Sequence, residues 1–239
     1  MTGVGGGSLM TPLLIQVFGI SPTTAVGTDL LFAAITKTIG TVVHGAARTI
    51  EWRIVALLAA GSVPGTVATL FFLSMVDLGG AKASYIITVA LAAVLLVTST
   101  FLLCARTIRA RYANRVMAIQ SGTVYAFTIA LGLTMGVLVS ATSVGAGAIG
   151  VTMLLLLHPK MPTIRIVGSD IAHAVPLTLI AGAGHWYLGT VDWALLGTLL
   201  LGSIPGIVFG SYLGSRIPDG TMRIVLALVL IVIAIKLMI

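Results

Sequence analysis

The chain has 239 residues, of which 13 are Lys or Arg and 6 are Asp or Glu, so 8% are charged while 58% are hydrophobic. A soluble domain carries roughly 25% charged residues, and this chain has too little polar surface to cover a globule in water. That excludes soluble enzymes, DNA-binding domains and disordered chains, and leaves a polytopic membrane protein. The net charge of +7 does not read as a nucleic-acid surface, because the basic residues sit in short loops between apolar runs. One cysteine, Cys104, excludes an intramolecular disulfide and a cysteine metal cluster.

In chain order the long apolar runs are 27–46, 53–76, 84–104, 117–140, 168–186, 193–215 and 221–239, with two shorter ones at 8–19 and 148–157. None alternates as a barrel strand does, so the predicted fold is all-α, a polytopic helical membrane protein. The two short runs fall below the length of a straight span.

The chain repeats itself. Gly27-Thr28-Asp29 returns as Gly168-Ser169-Asp170, His44 as His185, Glu51-Trp52 as Asp192-Trp193, and the GSVPG of Gly61–Gly65 as the GSIPG of Gly202–Gly206, all at an offset of 141. VGGGSL from Val4 to Leu9 matches VGAGAI from Val144 to Ile149 at an offset of 140. The chain is read as a first repeat over 1–104, a basic cytoplasmic loop over 105–116, and a second repeat over 117–239. The second repeat has an apolar run, 117–140, ahead of its glycine motif; the first repeat reads as lacking that opening helix.

Arg106, Arg109, Arg111 and Arg115 place the central loop in the cytoplasm. Alternating outward from there puts Arg48, Arg53, Lys160, Arg165, Arg216 and Arg223 on the same side and only Lys82 opposite. A complete repeat then changes sides an odd number of times, and the two repeats insert inverted, as in many secondary transporters.

Several motifs carry chemistry. Gly145, Gly147 and Gly150 match the dinucleotide fingerprint, but an apolar helix precedes them and no βαβ unit surrounds them, so a nucleotide is not expected. Instead Gly5, Gly6 and Gly7 with Ser8, and Ser143 with Gly145 and Gly147, are expected to break helices inside the membrane. The short helices restarting there would aim bare N–H groups and a positive dipole end at an anion. The competing reading is glycine packing. Lys37 stands near mid-membrane with Gly40, Thr41 and His44 on its face. A lysine there costs about 2.5–3.5 kcal/mol and faces protein or a cavity. It is either an anion-binding cation or one member of a buried pair with an aspartate.

Asp170 and His173, a turn apart and just before Pro176, form a candidate proton relay on a broken helix. Asp29 and Asp170 read more simply as helix N-caps behind Gly27-Thr28 and Gly168-Ser169. His44 and His185, beside Trp52, Trp186 and Trp193, read as interfacial residues. The small-residue stripe Gly202, Gly206, Gly210 and Gly214, echoed by Gly61 and Gly65, reads as internal packing rather than a dimer face.

Together, GVGGGSLMTPLL, AVGTDLLFAAITKTIGTVVHG and TIEWRIVALLAAGSVPG, with the second-half forms GAGAIGVTMLLL, GSDIAHAVPLTLIAGAGHW and VDWALLGTLLLGSIPGIVFGS, resemble the TauE/SafE sulfite exporter family over nearly the whole chain. The resemblance implies a multi-pass permease of the bacterial inner membrane that carries a small inorganic or organosulfur anion such as sulfite or a sulfonate. No cofactor, metal or nucleic acid is expected, and a homo-oligomer is allowed. An intramembrane enzyme and a non-transporting membrane subunit are the alternatives.

Overall fold

The computed structural model describes residues 7–76, 80–117, 120–145, 147–214 and 219–238. Every regular element among them is a helix: α1 Gly7–Gln16, α2 Pro22–Ala46, α3 Trp52–Ser74, α4 Ala81–Met117, α5 Ser121–Thr142, α6 Ala148–Leu157, α7 Thr163–Tyr187, α8 Trp193–Gly214 and α9 Asp219–Met238. Among the described residues six helices are long and apolar enough to cross a membrane, whereas α6 is a short apolar helix. The all-helical expectation holds. Residues 105–116, expected as a loop, continue α4 as helix; they are rich in Ala and Arg, both strong helix formers.

The starts of α2 and α7 correct a second expectation. Ser21 caps α2, its hydroxyl accepting the Thr24 N–H at 3.3 Å, with Pro22 in the first turn. α7 starts behind Pro162. Asp29 and Asp170 therefore lie two turns inside their helices and cap nothing. Hydropathy places both starts too late because Pro22-Thr23-Thr24 and Thr163-Ile164-Arg165 look polar or irregular, yet a proline at or before the first turn suits a helix start. Pro176 likewise leaves α7 unbroken from Thr163 to Tyr187, since packed neighbours tolerate the loss of one ladder bond in a membrane helix.

α2 and α7 pack antiparallel along their lengths. Gly27 faces Thr190 and His185, Leu31 faces Gly182, Gly40 faces Ile171, and His44 with Thr49 faces Gly168. These contacts are symmetric about the level of Thr36 and Leu177, which the 141-residue offset makes equivalent. The turns after the two helices repeat in detail. His44 Nδ1 meets the Thr49 hydroxyl at 2.8 Å, and His185 Nδ1 meets that of Thr190 at 2.9 Å. Arg48 and Gly189, equivalent in these turns, both take positive φ. Across the pair, Ser169 accepts the Glu51 N–H at 2.8 Å and Thr28 accepts the Asp192 N–H at 3.0 Å, so each repeat holds the start of the helix that follows the other's turn. A Cβ at Gly27 or Gly168 would strike the opposite turn's threonine carbonyl, at 2.7 Å in each case.

α3 and α5 pack parallel through glycines on both sides. A side chain at Gly61 would enter the Ile129 carbonyl and one at Gly65 the Leu133 carbonyl; Gly132 and Gly136 press on the Leu58 and Ser62 carbonyls. This is small-residue packing of the kind that brings membrane helices into backbone contact. The apolar core lies along α4, α6 and α9, through Leu91, Leu95, Val144, Ala227 and Leu230. A second cluster, Val26, Leu30, Met135, Val139 and Leu177, holds α2, α5 and α7 together.

Candidate functional site

The candidate site surrounds the crossing of α2 and α7. Asp29 is fully buried. Thr11 on α1 donates to its Oδ2, and Ser143, at the break after α5, donates to the same oxygen at 2.9 Å. Its Oδ1 has no protein partner. Asp170 is also buried, and its Oδ1 is likewise unpartnered. That oxygen lies against Gly150 in the first turn of α6, where a Cβ would collide with it and, at 2.7 Å, with Met135 Cε. Glycine at 150 is thus needed for a carboxylate to reach the start of the short helix.

Lys37 stands one residue past the centre of the crossing and is half-buried. Among the described residues it makes no ion pair within 4.0 Å. Eight residues separate it from Asp29 along α2, about 12 Å at 1.5 Å per residue, so a direct pair on one helix is out of reach. Its equivalent in α7 is Thr178, whose hydroxyl returns to the Ala174 carbonyl at 2.8 Å. One repeat therefore brings a cation to the crossing and the other a spent hydroxyl.

His173 is fully buried, with Nε2 at 2.8 Å from the Ser62 hydroxyl and Nδ1 unpartnered. It is joined to α3 and makes no hydrogen bond to Asp170. The Ser62–His173 distance is the one an intramembrane hydrolase needs, but Ser62 is 1% exposed and His173 0%, which closes both to a bulky substrate. The orphaned atoms Asp29 Oδ1, Asp170 Oδ1 and His173 Nδ1 each forgo a hydrogen bond worth about 1–3 kcal/mol of desolvation. Three such atoms on the α2–α7 pair are costly in a membrane protein, where polar groups inside the span mark function.

The expected glycine breaks divide. Gly5 and Gly6 lie outside the described residues; Gly7 opens α1, and Ser8 follows it inside that helix. The second break is formed as expected. Ser143 ends α5 at φ 59°, Gly145 takes φ 113°, and Gly147 starts α6 without a side-chain cap. Ser143 differs in role, because its hydroxyl is committed to Asp29. Thr41 gives its proton to the Lys37 carbonyl at 2.9 Å and is no free donor. The structure adds Thr11 and Ser62 to the residues singled out in the sequence and turns Asp29 from a cap into a buried acceptor. Asp29 had a signal for such a role, its equivalence to Asp170; Thr11 and Ser62 had none.

At the ends of the spans, Trp186 and Trp193 meet edge to face at 5.6 Å, and Arg53 lies over the Tyr125 ring at 4.4 Å. Both suit the membrane–water boundary, where amphipathic rings collect.

The family model described as "Sulfite exporter TauE/SafE" matches residues 1–237. The chain belongs to the TauE/SafE family. It is also 38% identical over 239 residues to the "Probable membrane transporter protein YjnA" of Bacillus subtilis (strain 168), a match covering 99% of this chain and 93% of that protein. No solved structure matches. With the family, the relative and the six span-length apolar helices among the described residues in agreement, this TauE/SafE member is a multi-pass membrane transporter.

Proposed function

We propose that this transporter exports a small sulfur-containing oxyanion, sulfite or a sulfonate, across the bacterial inner (plasma) membrane, with Lys37 holding the anion's charge. The observation that carries the reading is the lysine at the α2–α7 crossing, on the same helix pair as two buried carboxylates whose Oδ1 atoms have no protein partner. An anion entering a low-dielectric site loses hydration that the site must replace. Lys37 supplies the full charge, and the uncapped start of α6 supplies backbone donors and the positive end of a dipole. Protonated, Asp29 and Asp170 would add O–H donors to the anion; ionised, they would repel it. That alternation couples the proton gradient to anion movement, with His173 beside Asp170 as the second titrating group of the relay. The family description supports the sulfur anion.

In this reading the repeats, 1–104 and 117–239, insert in opposite orientations around the 105–116 connection, whose arginines lie in the cytoplasm. The antiparallel packing of α2 on α7 supports it.

The test is sulfite flux in proteoliposomes. Lys37→Met keeps the length and apolar stem of the side chain, so packing loss is small; Lys37→Arg keeps the charge with a different fork. The expected outcome is at least a tenfold loss for Met and partial flux for Arg, with both variants inserted. Parental flux in the Met variant would reduce Lys37 to a structural charge.

A further inference from the structure

The turn between α6 and α7 forms an open pocket of about 430 Å³, lined by Leu157, His158, Pro159, Lys160, Pro162 and Arg165 among others. It is separate from the Asp29, Lys37 and Asp170 cluster. Its walls are firmly held: the His158 N–H bonds the Leu154 carbonyl at 2.8 Å, the Met161 N–H bonds the His158 carbonyl at 3.0 Å, and prolines stand at 159 and 162. The His158 ring is pinned to α5, its Nε2 lying 3.2 Å from Thr128 Oγ1. Because the Thr128 proton is given to the Val124 carbonyl at 2.9 Å, Nε2 must donate. Burial lowers the imidazole below its ordinary value, so at neutral pH His158 is an uncharged wall. The cations are Lys160 and Arg165, both exposed.

Arg165 shares one N–H group with the Glu51 carboxylate at 3.3 Å, a long and exposed contact. The guanidinium has five N–H donors in all, so most remain for a ligand. α7 begins at the rim behind Pro162, with no side chain closing its first turn, and its dipole adds partial positive charge there.

The equivalent turn of the first repeat has none of this. Val17, Phe18, Gly19, Ile20 and Ser21 stand where His158, Pro159, Lys160, Met161 and Pro162 stand, and Ser21 spends its hydroxyl on its own helix. Since α2 and α7 are antiparallel, the two turns lie at opposite ends of the pair, and the basic one is at the end rich in arginine and lysine.

We propose that the Lys160–Arg165 cavity binds a phosphate group, that of an anionic lipid headgroup or of a soluble phosphate. Its position where a short apolar helix meets a span sets it at headgroup depth. A basic pocket at the membrane end of a helix turn is suited to a lipid phosphate, with Arg165 giving paired N–H contacts and Lys160 a point charge.

The test uses the full chain in a neutral detergent and the double variant Lys160→Gln with Arg165→Gln. The only bond it breaks among the described residues is the exposed pair to Glu51, so folding is preserved. Thermal unfolding is followed with phosphatidylglycerol, with phosphatidylcholine, and with inorganic phosphate alone. The expected result is a rise of several degrees with phosphatidylglycerol in the parent that phosphatidylcholine does not reproduce and the variant loses. The same pattern with inorganic phosphate alone supports the pocket and assigns it to the soluble ligand. A parent that responds to neither, or a variant that keeps the full rise, overturns the proposal.

Discussion

α2 and α7 begin from nearly the same sequence plan and reach different surroundings. Asp29 and Asp170 are equivalent, yet Asp29 is held by two hydroxyls from α1 and the α5–α6 break, whereas Asp170 leans on Gly150. His44 and His185 make the same turn, yet His185 is fully buried with Nε2 donating to the Ser140 carbonyl at 2.9 Å, and His44 is half-buried. Gly61 and Gly65 are filled by α5, while among the described residues nothing comes within 4 Å of a Cβ on Gly202 or Gly206. Duplicated motifs preserve local geometry, since a turn or a helix contact depends on a few neighbours. They do not preserve energetics, because those depend on what the rest of the fold delivers to each copy.

The largest effect expected from breaking this comparison is at the glycines. Gly61→Leu drives a side chain into the α5 backbone and should prevent recovery of folded protein, since overpacking against main chain has no flexible atom to yield. Gly202→Leu, at the equivalent position, should leave yield and size-exclusion profile near the parent. Equal losses would mean that the two stripes are packed alike.

The aspartates sharpen the comparison in function. Asp170→Asn and Asp29→Asn each keep the side-chain shape, and in the Asp29→Asn variant the new amide oxygen still accepts from Thr11 and Ser143. Both should lower proton-driven sulfite accumulation by about tenfold or more, if each carboxylate must change its charge during the cycle. Combined with His173→Gln, Asp170→Asn should also weaken the pH dependence of the remaining flux, leaving the part that Asp29 supplies. Unchanged pH dependence in that double variant would return the two residues to a packing role.

A smaller effect is expected at the histidines. His185→Ala strands the buried Ser140 carbonyl, while the Thr190 hydroxyl keeps its bond to the carbonyl of residue 185, and should cost about 1–3 kcal/mol in thermal or denaturant unfolding. His44→Ala loses only the Thr49 contact at a more open turn, and should cost less than about 1 kcal/mol. A His44 loss as large as that at His185 would show that the two turns are energetically alike.

Much of this molecule is legible in its sequence. The apolar runs anticipated the helices, the 148–157 run matched α6 residue for residue, and the break before it appeared at Ser143, Gly145 and Gly147. These are local or compositional properties: a helix in lipid satisfies its own backbone, so hydropathy and glycine placement suffice to locate it. Lys37 was legible for the same reason, being a charge where charge is expensive.

The tertiary structure alone decided the rest. Asp29 changed from a cap to a buried acceptor because its helix starts at Pro22, and because Thr11 and Ser143 approach it from 18 and 114 residues away. His173 was drawn to Ser62 across 111 residues of chain and not to Asp170 on its own helix. Which of two equivalent carboxylates, histidines or glycine stripes receives a neighbour depends on the packing of distant helices, and sequence periodicity carries no information on that. Composition and repeat determined a duplicated helical membrane protein with one costly lysine; only the packed fold decided that the lysine stands at the crossing of the two copies, between their aspartates.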